Sequence, residues 1–312
     1  MLRILPLIIV LSMTTFACDD DEKTSNNANN VNNLNNINNI NNVNNVNNLN
    51  NLNNSIEFQA IPGTRCTQEN LVGTVTVGSY GGAESIELSA QINDKPAIPR
   101  TTLSLSDAAC GFWEAVPPGF CEPACTGDTA CDSTGTCVPL PVPVEDLALT
   151  LHAGEQTQTF EPQYAGQLYG TVTLPGRTFW AYLTFEGLNV SLDETAVPEP
   201  LTELAGVWHG GYEGPEALDF AWAMPATPAG ASVFTYIPIN HHAMSATHTE
   251  CVVDADALGF SVAQDMLTPL AVVTGLEFQG LEHVRFAAAN TPRGCIEFRW
   301  RVWHFVDWTY PR

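Results

Sequence analysis

The sequence is short of positive charge. Lysine and arginine supply 11 residues against 34 acidic ones, for a formal net charge of -23. So few cations cannot displace counterions from a phosphate backbone, which excludes a nucleic-acid binder. Long apolar runs are also missing: none reaches the roughly 18 to 20 residues that cross a bilayer as a helix. Equally absent are a Gly-x-Ser-x-Gly nucleophile elbow, a phosphate-cradling glycine loop and a His-Glu-x-x-His zinc motif. The sequence therefore carries no cofactor motif and points away from an enzyme. Disorder throughout is excluded too, because 45% of the residues are hydrophobic.

What is present begins with an export signal over residues 1–17. Arg3 supplies the positive start, Ile4 to Met13 the short apolar core, and Thr15, Phe16 and Ala17 lead to Cys18. Two cleavage readings compete: ordinary cleavage after Ala17, or a bacterial lipobox in which Cys18 is lipidated and heads the mature chain. Thr15 and Phe16 fit a lipobox imperfectly. Cysteine parity favours it all the same: the chain has 9 cysteines, and setting Cys18 aside leaves an even set suited to disulfides in an oxidising compartment. The acidic run Asp19-Asp20-Asp21-Glu22 suits a terminus leaving a membrane surface. Two or more acyl chains on one residue anchor stably, whereas a single chain does not. The expected location is the cell envelope, at the outer membrane or cell surface.

From Asn26 to Asn54 the chain repeats Asn-Asn-X, with X apolar. A period of three matches neither the helix nor the strand, so these apolar residues collect on no face of either. The segment 18–54 reads as a disordered, low-complexity tether. The competing reading is a stack built on Asn ladders. As a coil the tether reaches roughly 35 Å, and fully extended about 120 Å, enough to lift a folded body clear of lipid headgroups.

Strand signals dominate the rest. Leu71 to Val77 is rich in Val and Thr; Ile86, Leu88, Ala90 and Ile92 alternate with polar residues, as do Leu147, Leu149 and Leu151, and Phe179 to Phe185. Gly and Pro punctuate these runs. The best helix candidate is the short stretch Ala263 to Leu270, with Pro269 near its end. The expected fold is all-β, sandwich-like, with one β-rich region over 55–142 containing a cysteine-rich knot (110–137) and a second sandwich-like domain over 143–312. The last strand is the clearest. Ile296, Phe298, Trp300, Val302, His304, Val306 and Trp308 share one face, and Glu297, Arg299, Arg301, Trp303, Phe305 and Asp307 the other.

Cys110, Cys121, Cys125, Cys131 and Cys137 crowd a stretch too polar to bury a core, so cross-links must hold it. Spacings of three, five and five between the last four lack a zinc knuckle, and export favours bridges over thiolates. Cys66 is expected to complete this group, and Cys251 and Cys295 to pair with each other across the C-terminal sheet. Pairings inside the group of six stay open. The runs Cys110-Gly-Phe-Trp113, Pro117-Pro-Gly-Phe-Cys121-Glu-Pro-Ala-Cys125 and Cys131-Asp-Ser-Thr-Gly-Thr-Cys137-Val-Pro resemble a segment of uncharacterised exported lipoproteins of myxobacteria and related delta-proteobacteria. The resemblance extends over about residues 105–300 and includes Leu218-Asp-Phe-Ala-Trp222, Cys251-Val-Val-Asp254 and Gly294-Cys295-Ile-Glu-Phe298. It implies a cysteine-rich knot ahead of a β-rich region and an envelope location, with no activity.

Candidate chemistry is sparse. His241, His242 and His248, near Glu250, could ligate a metal, but their spacing does not put three ligands on one face. Asp254 and Asp256 could contribute to a calcium site, although a turn before Gly259 explains them as well. A glycosidase pair of carboxylates has no distinguishing mark among 34 acidic residues. The strongest binding hint is C-terminal: Arg299, Arg301, Trp303 and Tyr310, with Trp300 and Trp308, have the composition of a sugar-stacking or anion-binding surface. The competing reading puts Trp300 and Trp308 in the core and pairs both arginines with acidic neighbours. Arg285, Arg293, Arg299, Arg301 and Arg312 fall in the last 28 positions, so this end is locally basic. The functional expectation is a non-enzymatic, membrane-anchored surface lipoprotein that is structural, adhesive or partner-binding, its ligand a protein or a glycan. A carbohydrate-binding module is the alternative, and an exported hydrolase the weaker one.

Overall fold

The computed structural model describes residues 56–310, apart from 82, 117–118, 165, 212–213, 228, 240–245 and 272–279. The signal, Cys18, the whole Asn-rich tether, His241 and His242 lie outside the described residues.

The chain is all-β. The first strands are β1 (Ile56–Gln59), β2 (Ile61–Pro62), β3 (Leu71–Tyr80), β4 (Ile86–Ile92), β5 (Thr101–Ser106) and β6 (Cys110–Ala115). A small hairpin in the knot follows, β7 (Thr129–Cys131) with β8 (Cys137–Pro139). Next come β9 (Leu147–Ala153), β10 (Gln156–Phe160), β11 (Gln167–Val172), β12 (Thr178–Phe185) and β13 (Leu188–Ala196). The last third holds β14 (Ala205–Gly211), β15 (Gly214–Ala221), β16 (Ser232–Pro238), β17 (His248–Asp254) and β18 (Gly259–Val262). The helix α1 (Gln264–Ala271), β19 (Gly280–Thr291), β20 (Gly294–Phe305) and β21 (Trp308–Thr309) complete it.

One large, 10-stranded sheet runs β11-β4-β3-β20-β19-β16-β17-β6-β5, with β2 joined to β19. Two smaller sheets pack on the same face of it. The first, β1-β13-β12-β9-β10, covers the half around β3, β4 and β20, and the second, β18-β15-β14-β21, covers the half around β16, β17 and β6. The cause is the period-2 pattern of the strands. Val75 and Val77 of β3, Leu88 and Ala90 of β4, and Phe298, Trp300 and Val302 of β20 all point inward and meet Leu149, Leu151, Leu183 and Val190 of the first small sheet. In the other half Phe112, Val233, Ile237 and Cys251 meet Trp208, Leu218, Phe220 and Val262, and α1 adds Met266, Leu267 and Leu270. Burying one such large side chain contributes roughly 2 kcal/mol.

The boundary expected at 142/143 does not separate the sheets. β20 pairs in parallel with β3, and β17 pairs with β6, so strands from both sides of that point share the large sheet. The expected final strand is also shorter than its pattern. β20 stops at Phe305, and after Val306 and Asp307 the chain crosses to the second small sheet, where β21 pairs with β14. Helix α1 falls where expected, with Pro269 inside it.

All eight remaining cysteines are bridged, but not as expected. Cys66 joins Cys295 rather than the knot, and Cys251 joins Cys110 rather than Cys295. Within the knot Cys121 pairs with Cys131 and Cys125 with Cys137. The register explains the correction: Cys110 stands directly opposite Cys251 across β6 and β17. Asn70, at the head of β3, accepts the Cys295 N–H at 2.6 Å, which brings the Cys66 loop over the start of β20.

Candidate functional site

The face of the large sheet turned away from both small sheets carries the only buried charge network found among the described residues' ion pairs. Strand β20 builds it, because alternate residues Glu297, Arg299, Arg301, Trp303 and Phe305 face outward while Trp300 and Phe298 are core. Phe286 and Phe234, from β19 and β16, pack edge to face beside them at 6.0 Å. Arg65, from the loop after β2, lies across this face with its guanidinium 4.6 Å from the Phe286 ring and 5.3 Å from that of Phe234. Arg299 lies over the same two rings, 5.3 Å from that of Phe234 and 5.8 Å from that of Phe286.

Each arginine has a carboxylate. Arg65 pairs with Glu250 and reaches Glu297 at 3.3 Å, while Arg299 meets the other oxygen of Glu297 at 2.7 Å. Glu297, with its side chain 1% exposed, also accepts the Cys66 N–H at 3.1 Å. Arg301 pairs with Glu282. Burial alone would depress the Arg65 guanidinium, but the carboxylates of Glu250 and Glu297 outweigh it and hold its pKa above the ordinary value. A buried carboxylate such as Glu297 would cost several kcal/mol without these partners. The network therefore fixes the Cys66 loop to the sheet. Arg299 and Arg301, expected as ligand contacts, are engaged internally, and an incoming anion would have to displace a glutamate.

Trp303 does not stand ready as a sugar platform either. One side of its indole rests on Gly280, where a Cβ would run into the ring. Phe305 meets it edge-on at 4.1 Å and 86°, and Tyr80 is tilted by 57° at 5.9 Å. The result is an exposed aromatic corner, with Phe305 75% and Tyr80 52% exposed, rather than a flat stacking surface. Tyr310 lies elsewhere, 6.1 Å from Trp208 of β14, because the chain has already crossed to the second small sheet. The four expected ligand residues are thus divided between two places.

The remaining candidates resolve similarly. His248 is buried, between Trp113 at 6.2 Å and Tyr236 at 4.5 Å, and burial pushes its pKa down. Glu250 is taken by Arg65. Asp254 precedes a 3-10 turn at Ala255–Ala257. The sulfurs of Cys121, Cys125 and Cys131 lie within 4.8 Å of one another, but each is bonded to another sulfur and offers no thiolate. On the outer face of the second small sheet Asp219 lies 2.6 Å from His209 Nε2 and accepts the Ser261 hydroxyl. In this arrangement the serine donates to the carboxylate and not to an imidazole, so the histidine does not activate it as a nucleophile.

Sequence reasoning missed a second polar cluster, at the junction of the two small sheets. The connector after β13 crosses the inner face of β19 and β20, held by two histidines. Leu201 N–H donates to His304 Nε2 at 3.2 Å, and His283 Nδ1–H donates to the Glu199 carbonyl at 2.6 Å. Burial, and then the proximity of His283, push the His304 pKa down to about 4. The only sequence signal was a histidine on the apolar face of β20.

No protein-family model matches the chain, and no curated protein matches it. Among solved structures, the chicken CNTN1 FN1-FN3 domains are similar over 77% of this chain and 69% of that chain, at 9% identity and a TM-score of 0.20. An ICAM-5 D1-D4 ectodomain fragment is similar over 80% of this chain and 77% of that chain, at 13% identity and a TM-score of 0.14. Likenesses at these scores place no constraint on function.

Proposed function

We propose that this chain is an exported, lipid-anchored surface protein that binds a partner and carries out no catalysis. The observation behind this reading is that all eight cysteines beyond Cys18 are bridged in an all-β body. Such bridges persist in oxidising compartments and are rare where thiols are kept reduced. No helix among the described residues is long and apolar enough to cross a membrane. In this reading the attachment is a lipid on Cys18. The resemblance to exported myxobacterial lipoproteins supports the same reading. The charge network on the large sheet is neutralised internally, and the Ser261–Asp219–His209 contact is ordered wrongly for acyl transfer. Binding is left to exposed contact surface.

The experiment counts thiols. Protein taken from its native cells and alkylated without reductant is expected to carry no label, and after reduction to carry eight. Several labels on native, unreduced protein would place the chain in a reducing compartment, whereas a single label before reduction and nine after it would mean that Cys18 is not lipidated.

A further inference from the structure

The two ends of the large sheet are treated differently. At the β11 end the edge is covered: the Gln158 side chain, from β10, donates to the Thr171 carbonyl at 2.9 Å and accepts the Thr173 N–H at 2.7 Å. At the other end β5 is the last strand of the sheet, and all its residues but Thr101 are exposed. Its sequence, Thr101-Thr-Leu-Ser-Leu-Ser106, has no charge and no proline, and Leu103 and Leu105 are 48% and 41% exposed. Edges are ordinarily blunted by lysine, proline or a covering segment, because open backbone groups pair with any strand that arrives. This edge is also held firm: β6 pairs with it along its length, and Cys110 bonds β6 to β17. A rigid edge pays little ordering entropy on pairing.

We infer that β5 pairs antiparallel with β5 of a second copy of this chain, joining two large sheets across a twofold axis. Two features favour a second copy over a foreign strand. The first is charge. With the axis between Leu103 and Ser104, Arg100 of each copy falls opposite Asp107 of the other, and the six residues between them are uncharged. Both residues are exposed. The second is the bulge. The register of β5 against β6 shifts between Leu103 and Leu105, leaving Ser104 as an extra residue. A regular foreign strand would meet this bulge with one residue too few. A second copy brings the same extra residue to the same point, so the count stays matched on both sides of the axis. A self-complementary surface of this kind gives a closed pair and no chain of copies.

The net charge of -23 opposes association at long range. Screening acts on that repulsion more than on the short contacts at the axis, so added salt strengthens the pair. Sedimentation velocity of the full exported chain at micromolar concentration is expected to show a dimer that is tighter at roughly 300 mM than at roughly 30 mM salt. Leu103→Lys with Leu105→Lys, two exposed substitutions, gives a monomer with an unchanged melting curve. Arg100→Asp places aspartates opposite one another and weakens the dimer at least tenfold. Ser104→Cys, beside the axis, cross-links copies on mild oxidation much faster than Thr171→Cys on the covered β11 edge. A monomer at every salt concentration overturns the inference. So does a dimer that survives the lysine substitutions, or equal cross-linking at the two edges.

Discussion

Replacing Cys66 and Cys295 together by serine is expected to cost about 5 kcal/mol of stability, more than either bridge of the knot. The bridge closes a loop across a sequence separation of 229, whereas Cys121–Cys131 and Cys125–Cys137 close separations of 10 and 12. By the entropy of loop closure, each knot bridge contributes about 3 kcal/mol. The position of the long bridge matters as much as its length. β1 is an edge strand of the first small sheet, paired in parallel with β13, and the chain from it enters the large sheet through β2. Cys66 then ties that entry to the start of β20, the strand with both β3 and β19 as neighbours. Arg65 and Glu297 fasten the same loop non-covalently. Without the bridge the β1–β2 segment loses its covalent hold on the large sheet. Urea unfolding of the double serine variant should show a midpoint far below that of a Cys121→Ser, Cys131→Ser variant. Equal midpoints would mean that the Arg65 network, and not the bridge, holds the entry.

Acidification is expected to destabilise the chain by about 2 kcal/mol between pH 7.5 and pH 5. His304 is buried and neutral in the folded state, with its pKa near 4, whereas in the unfolded chain it titrates at the ordinary histidine value of about 6.5. The unfolded state therefore binds the proton first. The stabilisation is complete above pH 6.5, falls as the pH drops toward 4, and changes no further below that. The charged and titratable neighbours do not reverse this. His283 repels a charged His304, and its own pKa is depressed by burial, opposed by the Glu199 carbonyl and reinforced by Arg285. Protonation also removes the acceptor for Leu201 N–H, so the connector between the two small sheets is the part that loosens. Urea midpoints measured at both pH values test this. His304→Gln retains an acceptor and cannot titrate, so it should reduce the loss. A variant as acid-sensitive as the parent would move the origin of the effect to His248 or to the carboxylates.

Local pattern made a good part of this fold legible. Alternation located β4, β9, β12 and most of β20, since each has one face in a core and one in solvent. Cysteine parity anticipated that every described cysteine would be bridged. The pairings were not legible, because they follow from which strands are neighbours. Nothing near Cys110 reveals that β6 lies beside β17, or near Cys66 that β3 lies beside β20. The ligand residues failed as well. Arg299 and Arg301 have the composition of a binding surface, yet Arg299 is held by Glu297 of its own strand and Arg301 by Glu282 of the neighbouring β19, as the competing reading had it. Tyr310 was grouped with these residues by composition, but after Val306 and Asp307 the chain has passed into another sheet. Glu297 was assigned to the open face and is in fact covered by the Cys66 loop.

The attachment of this body to a membrane is tested most directly by metabolic labelling with a palmitate analogue, followed by fractionation of the native cells. Label is expected on the mature chain in the membrane fraction, and both label and membrane association should vanish in Cys18→Ser. An unlabelled chain in the soluble fraction of cells with intact lipoprotein processing would contradict the proposal.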